Sequence, residues 1–252
     1  MTTRLTFEGL ILVIPDKSDP ERDAVASAWR RQGGHVLRLG RFWEPPQLKR
    51  NSVRLYGPDT FCQILAQLLS VQLVSPPEDL VVQAPRNFLG RSIQRDTLGM
   101  VPERLPAFVK SLVPKLFRSR VYNRISTFYE ETRGLPGDTP VLVSEIVSFE
   151  AEARAFLLGA HVVSCAVYEG KANPAEAREF SGLLASALEL PVTTVLDVGL
   201  VRGSGWVLVE ANAVWGSGLN GCIARDVLPC IARATSVEVP EPTRSASQAA
   251  LG

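Results

Sequence analysis

The chain has 252 residues, 46% of them hydrophobic, with 27 basic against 26 acidic side chains and a formal net charge of +1. That length supports a substantial core and lies near the size at which one core divides in two, while near-neutrality excludes general attraction to nucleic acid or membranes. Two histidines, His35 and His161, lie apart from every other motif, which excludes histidine triads and multi-histidine metal sites.

Residues 9–14 (GLILVI) read as a buried strand, 20–32 as a helix, and 35–39 as a second strand after Gly33-Gly34. A strand at 53–56, the turn Gly57-Pro58-Asp59, a helix from about Thr60 to residue 69, and a strand at 71–74 continue the alternation up to Pro76-Pro77. The expectation is a small α/β subdomain over 1–78. A second domain over 79–239 begins with a helix around 88–98, followed by strands at 107–110, 141–149, 153–158 and 161–168. Gly159-Ala160 joins the last two strands, and residues 174–190 read as an amphipathic helix ahead of a final hairpin. The fold class expected is α+β, with antiparallel sheets and added helices. Residues 240–252 are polar and small, and predict a disordered tail.

The hairpin is the most informative element. The runs 195–201 (VLDVGLV) and 206–212 (WVLVEAN) flank Arg202-Gly203-Ser204-Gly205. If Val201 pairs with Trp206, Asp197 falls opposite Glu210 and Asn212 shares their face. Leu196, Val198, Leu200, Val207, Val209 and Ala211 then form the apolar face behind. Two carboxylates about 5 Å apart repel by about 3 kcal/mol at an effective dielectric of about 20. Two carboxylates and an amide oxygen are hard ligands of the kind that hold magnesium. A solvated acidic hairpin is the competing reading. On the metal reading, Asp197→Asn or Glu210→Gln relieves repulsion and leaves the empty protein equally or more stable.

Between residues 85 and 124 stand nine basic and two acidic residues, a stretch suited to meeting anions. It contains Lys110 and Lys115, which interrupt apolar sequence (VKSLVPKLF) and either meet an anion or snorkel to the surface. The segment SEIVSFEAEARAF carries Glu145, Glu150, Glu152 and Arg154. Glu152 and Arg154 share a strand face, as a surface ion pair or as an arginine fork for phosphate or carboxylate beside a glutamate for ribose. The glycines of Gly216-Ser217-Gly218-Leu219-Asn220-Gly221 match a dinucleotide fingerprint but follow the hairpin instead of opening a βαβ unit, so they read as a loop beside Asn212.

The four cysteines have no metal-ligand spacing and read as buried thiols in a reducing compartment. The opening apolar run stops at Pro15-Asp16 without a cleavage site, and no run reaches the about 18 residues of a membrane span. A cytoplasmic location without membrane partners is expected.

In order and spacing, YGPDTF, FVKSLVPKLF, VSEIVSFEAEARAF and VLVEANAVWGSGL resemble the ATP-grasp superfamily from about residue 11 to about residue 231. They look most like the clade named for one arginine and two lysines, which includes the eukaryotic cell-division-cycle protein that assembles a translation initiation factor. The resemblance implies ATP between two antiparallel sheets, with Lys110 and Lys115 on its phosphates and the strand end Ser144, Glu145, Ile146 and Val147 at adenine. It implies Glu150 or Glu152 at the ribose, Asp197, Glu210 and Asn212 on magnesium, and Arg154 facing the transferred phosphoryl or an acceptor carboxylate. The implied activity joins a carboxylate to an amine through an acylphosphate, releasing ADP, with a small amino acid, peptide or protein as substrate. A nucleotide-bound assembly factor or chaperone without turnover is the alternative. The chain departs from the pattern at Ser111, where proline is expected, and in having no glycine-rich phosphate-covering loop between the lysines.

Overall fold

The structure, a computed structural model, describes residues 6–113 and 115–237; most of the expected second domain lies within them and the expected tail lies outside. The opening unit is β1 (Ile11–Pro15), α1 (Pro20–Arg31), β2 (His35–Leu39), β3 (Val53–Leu55), α2 (Asp59–Leu69) and β4 (Gln72–Leu73). Asp19 caps α1 by accepting the Arg22 N–H at 3.0 Å, and Pro20 supplies the first helical turn. Three strands pair in parallel in the order β2-β1-β3, as alternating strands and helices require. α2 starts at Asp59, one residue before the expected Thr60, because Pro58 occupies the cap.

Next come α3 (Leu80–Gln83), β5 (Ile93–Thr97), β6 (Ala107–Ser111), β7 (Arg120–Tyr122), α4 (Ile125–Glu131) and β8 (Pro140–Ser144). The helix expected around 88–98 is absent. A single 3-10 turn, Arg86–Phe88, is followed by Gly90 at φ +58°, and the chain then extends as edge strand β5. A helix cannot run through a left-handed residue. β5-β8-β6-β7 form an antiparallel sheet. The strand expected over 141–149 is broken, leaving 145–148 as an irregular connection.

The second antiparallel sheet has the order β10-β9-β11-β12, from β9 (Phe149–Leu158), β10 (His161–Gly170), β11 (Thr193–Val201) and β12 (Gly205–Asn212). α5 (Pro174–Ala187) covers one face, where Leu184 and Ala185 join Ala155, Leu157, Leu196 and Leu208 in one core. The other face is divided. Phe156 and Val195 join the core of the opening unit, together with Val227, Leu228 and Ile231 of α6 (Ala224–Arg233), while Glu152, Arg154, Asp197 and Glu210 remain as its polar part. β13 (Thr235–Ser236) returns to pair with β4. Chain ends and hairpin are therefore fastened to the opening unit through one shared core.

The hairpin register contains a correction. Val201 pairs with Gly205, not Trp206, so the strands start one residue out from the sequence reading. A bulge between Val198 and Asp197 absorbs Val209 as an extra residue, after which Asp197 stands opposite Glu210. Trp206 and Leu208 therefore share the face of Val198 and Leu200, in place of Val207 and Val209.

Candidate nucleotide and metal site

Between the two antiparallel sheets lies a cleft. One wall presents Ile93, Phe108, Val121 and Leu142, the other Phe149, Val209 and Ala211, so two apolar surfaces face one another at a separation suited to a flat ring. Phe149 reaches its place because residue 199 is glycine: a Cβ there would lie 2.3 Å from the ring.

The rim holds the expected strand end. Ser144, Glu145, Ile146 and Val147 all line the cleft. Glu145 donates its N–H to the Ser92 carbonyl at 2.9 Å and accepts the Ser92 N–H on its carboxylate at 2.7 Å, so its side chain fixes the connection to β5. Ser144 donates its hydroxyl to the Glu145 carbonyl at 2.9 Å and accepts from Arg91 Nε at 3.1 Å.

Arg91 escaped the sequence reading. Its guanidinium also donates to the carbonyls of Leu89 (3.0 Å), Leu208 (2.8 Å) and Val209 (3.4 Å), so one buried cation ties β8 to the bulge in β12. No local signal could have revealed this, because the acceptors in β12 lie 117 and 118 residues away. Burial lowers its pKa from the usual guanidinium value.

At the inner end of the cleft the polar groups converge. Arg154 grips Asp197 with two hydrogen bonds, Nε to Oδ1 at 2.8 Å and Nη2 to Oδ2 at 2.7 Å, and donates Nη1 to the Gly218 carbonyl at 3.0 Å. Lys110 Nζ meets Glu210 Oε2 at 3.0 Å. Asn212 Nδ2 donates to Asp197 Oδ2 and Glu210 Oε1, both at 2.9 Å. Burial raises the Asp197 carboxyl despite the opposing pull of Arg154. Burial pushes Glu210 the same way, but Lys110 and Asn212 outweigh it and hold this carboxyl below its usual value.

This network corrects the expected stability response. The two carboxylates do not face each other unscreened: each has its own cation, and the amide bridges them. The repulsion argument therefore fails for the empty protein. The donor set nonetheless fits a hard cation, because one oxygen from each carboxylate points at a single place, now filled by the Asn212 amide. Amide oxygen and nitrogen are interchanged by a half-turn of the side chain, and that turn would present three oxygens there. Among the described residues no group of three or more His, Cys, Asp and Glu side chains is placed to hold a metal, so the amide is an essential third member.

The remaining predicted residues are dispersed. Lys115, at φ +59°, carries its side chain out of the cleft to Asp59 Oδ2 at 2.7 Å and is 72% exposed. Glu150 pairs with Arg202 at 2.6 Å at the sheet margin. Glu152 accepts the Tyr168 hydroxyl at 2.7 Å, and burial followed by that bond raises the tyrosine's pKa. Neither glutamate is among the cleft's lining residues. The basic stretch is partly internal: Arg95 pairs with Asp79 at 3.3 Å and Arg104 with Asp96 at 2.9 Å. The glycine run after the hairpin is a loop, and Glu21 of α1 takes its Leu219 and Asn220 N–H groups at 2.7 and 2.8 Å. Cysteines 62, 165, 222 and 230 are free thiols. No helix among the described residues is long and apolar enough to cross a membrane.

The arrangement of two antiparallel sheets about a cleft recurs among known structures. A RimK domain ATP-grasp protein from Sphaerobacter thermophilus is similar at a TM-score of 0.59 and 16% identity, over 88% of this chain and 97% of the other. D-cycloserine synthetase DcsG gives 0.58 and 12%, over 89% and 99%. The ATP-grasp ligase PsnB, in complex with a minimal precursor, gives 0.51 and 12%, over 85% and 93%. At such identities these likenesses speak for the fold alone. No curated protein sequence matches. The family described as the ATP-grasp domain, family 2 of the clade named for one arginine and two lysines, matches residues 88–230. That span takes in both antiparallel sheets and every polar residue at the inner end of the cleft. The chain belongs to that family of the ATP-grasp superfamily.

Proposed function

We propose that the protein is an ATP- and magnesium-dependent ligase that joins a carboxylate to an amine through an acylphosphate. The observation that carries this reading is the convergence of Lys110, Glu210, Asn212, Asp197 and Arg154 at the inner end of an apolar slot. Phosphoryl transfer needs alignment and neutralisation of charge more than a covalent catalyst, and these residues supply cations and oxygen ligands with no histidine among them.

In this reading the slot takes adenine against Ile146 and Val147, and Lys110 leaves Glu210 for a phosphate. Glu210, Asp197 and a turned Asn212 amide hold magnesium, whose charge offsets that of the phosphates. Arg154, fixed by Asp197 and Gly218, keeps its remaining N–H groups for the transferred phosphoryl or the carboxylate. Lys115 reaches the phosphates only by leaving Asp59, which its exposed position permits. Glu152 stands nearer to Arg154 than Glu150 does along β9 and is the better placed of the two for the ribose. The acylphosphate carbon is then attacked by an amine nitrogen: a C–N bond forms, the C–O bond to phosphate breaks, and phosphate and a proton are released. The acceptor is an amino acid, a peptide or a protein segment.

ADP release in the presence of pooled amino acids and short peptides tests the proposal. Turnover stimulated by one of them supports it; firm ATP binding with no stimulated ADP release from any carboxylate–amine pair contradicts it and favours an assembly factor.

A further inference from the structure

The nucleotide cleft shares Glu78 and Ala211 with a second cleft over Asp59, Asn212 and Ser217. That one in turn shares Trp215, Gly216 and Ser217 with a third, bounded by α1, Gly57-Pro58 and Gly218. One trough thus runs from the adenine slot, past the metal ligands, to the first turn of α1.

At its far end the polar side chains are satisfied with one exception. Glu21 accepts from the Leu219 and Asn220 amides, the Tyr56 hydroxyl donates to the Ser217 carbonyl at 2.9 Å, and Ser217 donates to the Ala213 carbonyl at 2.8 Å. Trp215 Nε1 donates to Ser75 Oγ at 3.1 Å, and Asp19 Oδ1 caps α1. Arg22 makes no side-chain hydrogen bond among the described residues. Its side chain is only 19% exposed, Nε is sealed without an acceptor, and the nearest carboxylate oxygen, Asp19 Oδ2, stands 3.6 Å from Nη2. A guanidinium withdrawn from water without acceptors is unfavourable in the empty protein. An arginine kept for structure alone would be expected to have them, as Arg91 and Arg154 do.

We infer that Arg22 anchors the free carboxylate of the amine component, an amino acid or the terminal residue of a short peptide, at the end of the trough remote from ATP; this rests on the ligase reading above. A planar fork suits a planar carboxylate. The negative charges of Asp19 and Glu21 beside it favour a monoanion over a phosphate dianion. With its carboxylate held at Arg22, the molecule extends its amine along the Gly216–Gly218 backbone toward Asn212 and the acylphosphate.

Calorimetric titration with propionate tests this, with propionamide as the neutral control, on the full chain with and without ADP and magnesium. Wild type should bind propionate saturably in the millimolar range and ignore propionamide. Arg22→Met should weaken propionate at least tenfold, Arg22→Lys less, while Mg–ATP affinity stays within twofold and Tm is equal or higher because an unsatisfied cation is gone. Absence of propionate binding in wild type, or its retention in Arg22→Met, overturns the assignment. So does a fall in Tm for both variants, which would make Arg22 structural. If Mg–ATP fails to bind, the ligase reading falls, and the nucleotide-free propionate titration still decides the role of Arg22.

Discussion

Asp197→Asn removes the counter-charge of Arg154, whose side chain is 12% exposed while that of Asp197 is 4% exposed. Breaking one side of a buried pair costs about 3–5 kcal/mol, so a loss of that size is expected in urea denaturation. Glu210→Gln differs because Glu210 is 39% exposed and its partner Lys110 is 25% exposed; a change within about 1 kcal/mol is expected. Equal, stabilising effects at both positions would restore the repulsion picture. The pairing of Asp197 with Glu210 was legible from strand alternation and the glycines of the turn. What the sequence could not reveal was that Arg154 and Lys110 already neutralise the pair, since those bonds join residues 43 and 100 positions apart.

At the scale of elements, the hairpin owes its correct outcome to two offsetting departures: a turn one residue tighter than expected and a bulge that restores the pairing. Without the bulge, Glu210 would turn to the apolar face behind the site, because a one-residue slip exchanges the two faces of a strand. Arg91 holds the carbonyls of Leu208 and Val209 at this point. Arg91→Met is therefore expected to weaken Mg-dependent ATP binding at least tenfold while nucleotide binding in EDTA changes less; an equal loss in both would assign Arg91 to the nucleotide and not to the bulge. Strands with plain alternation, such as β9 and β10, were legible, although β9 begins four residues earlier than expected, at Phe149. Residues 88–98 were misread because their apolar spacing admits a helix, and Gly90, whose left-handed backbone ends it, gives no such sign in the sequence.

The whole molecule is a trough built where the opening unit meets the β9–β12 sheet, and its continuity depends on contacts that cross between them. Glu21 clamps the loop after the hairpin, and Lys115 on the β6–β7 connection pairs with Asp59 of α2. The two layers were legible from the change of pattern near residue 78. Their common core was not, because α6 joins the opening unit from the far end of the chain. Isothermal calorimetry with ATP, with and without magnesium, on wild type and Glu210→Gln bears most directly on magnesium–nucleotide binding at the hairpin. ATP binding that requires magnesium, weakened at least tenfold in a Glu210→Gln protein that remains folded, is the result expected. Binding of equal strength in EDTA, or unchanged in Glu210→Gln, would contradict it.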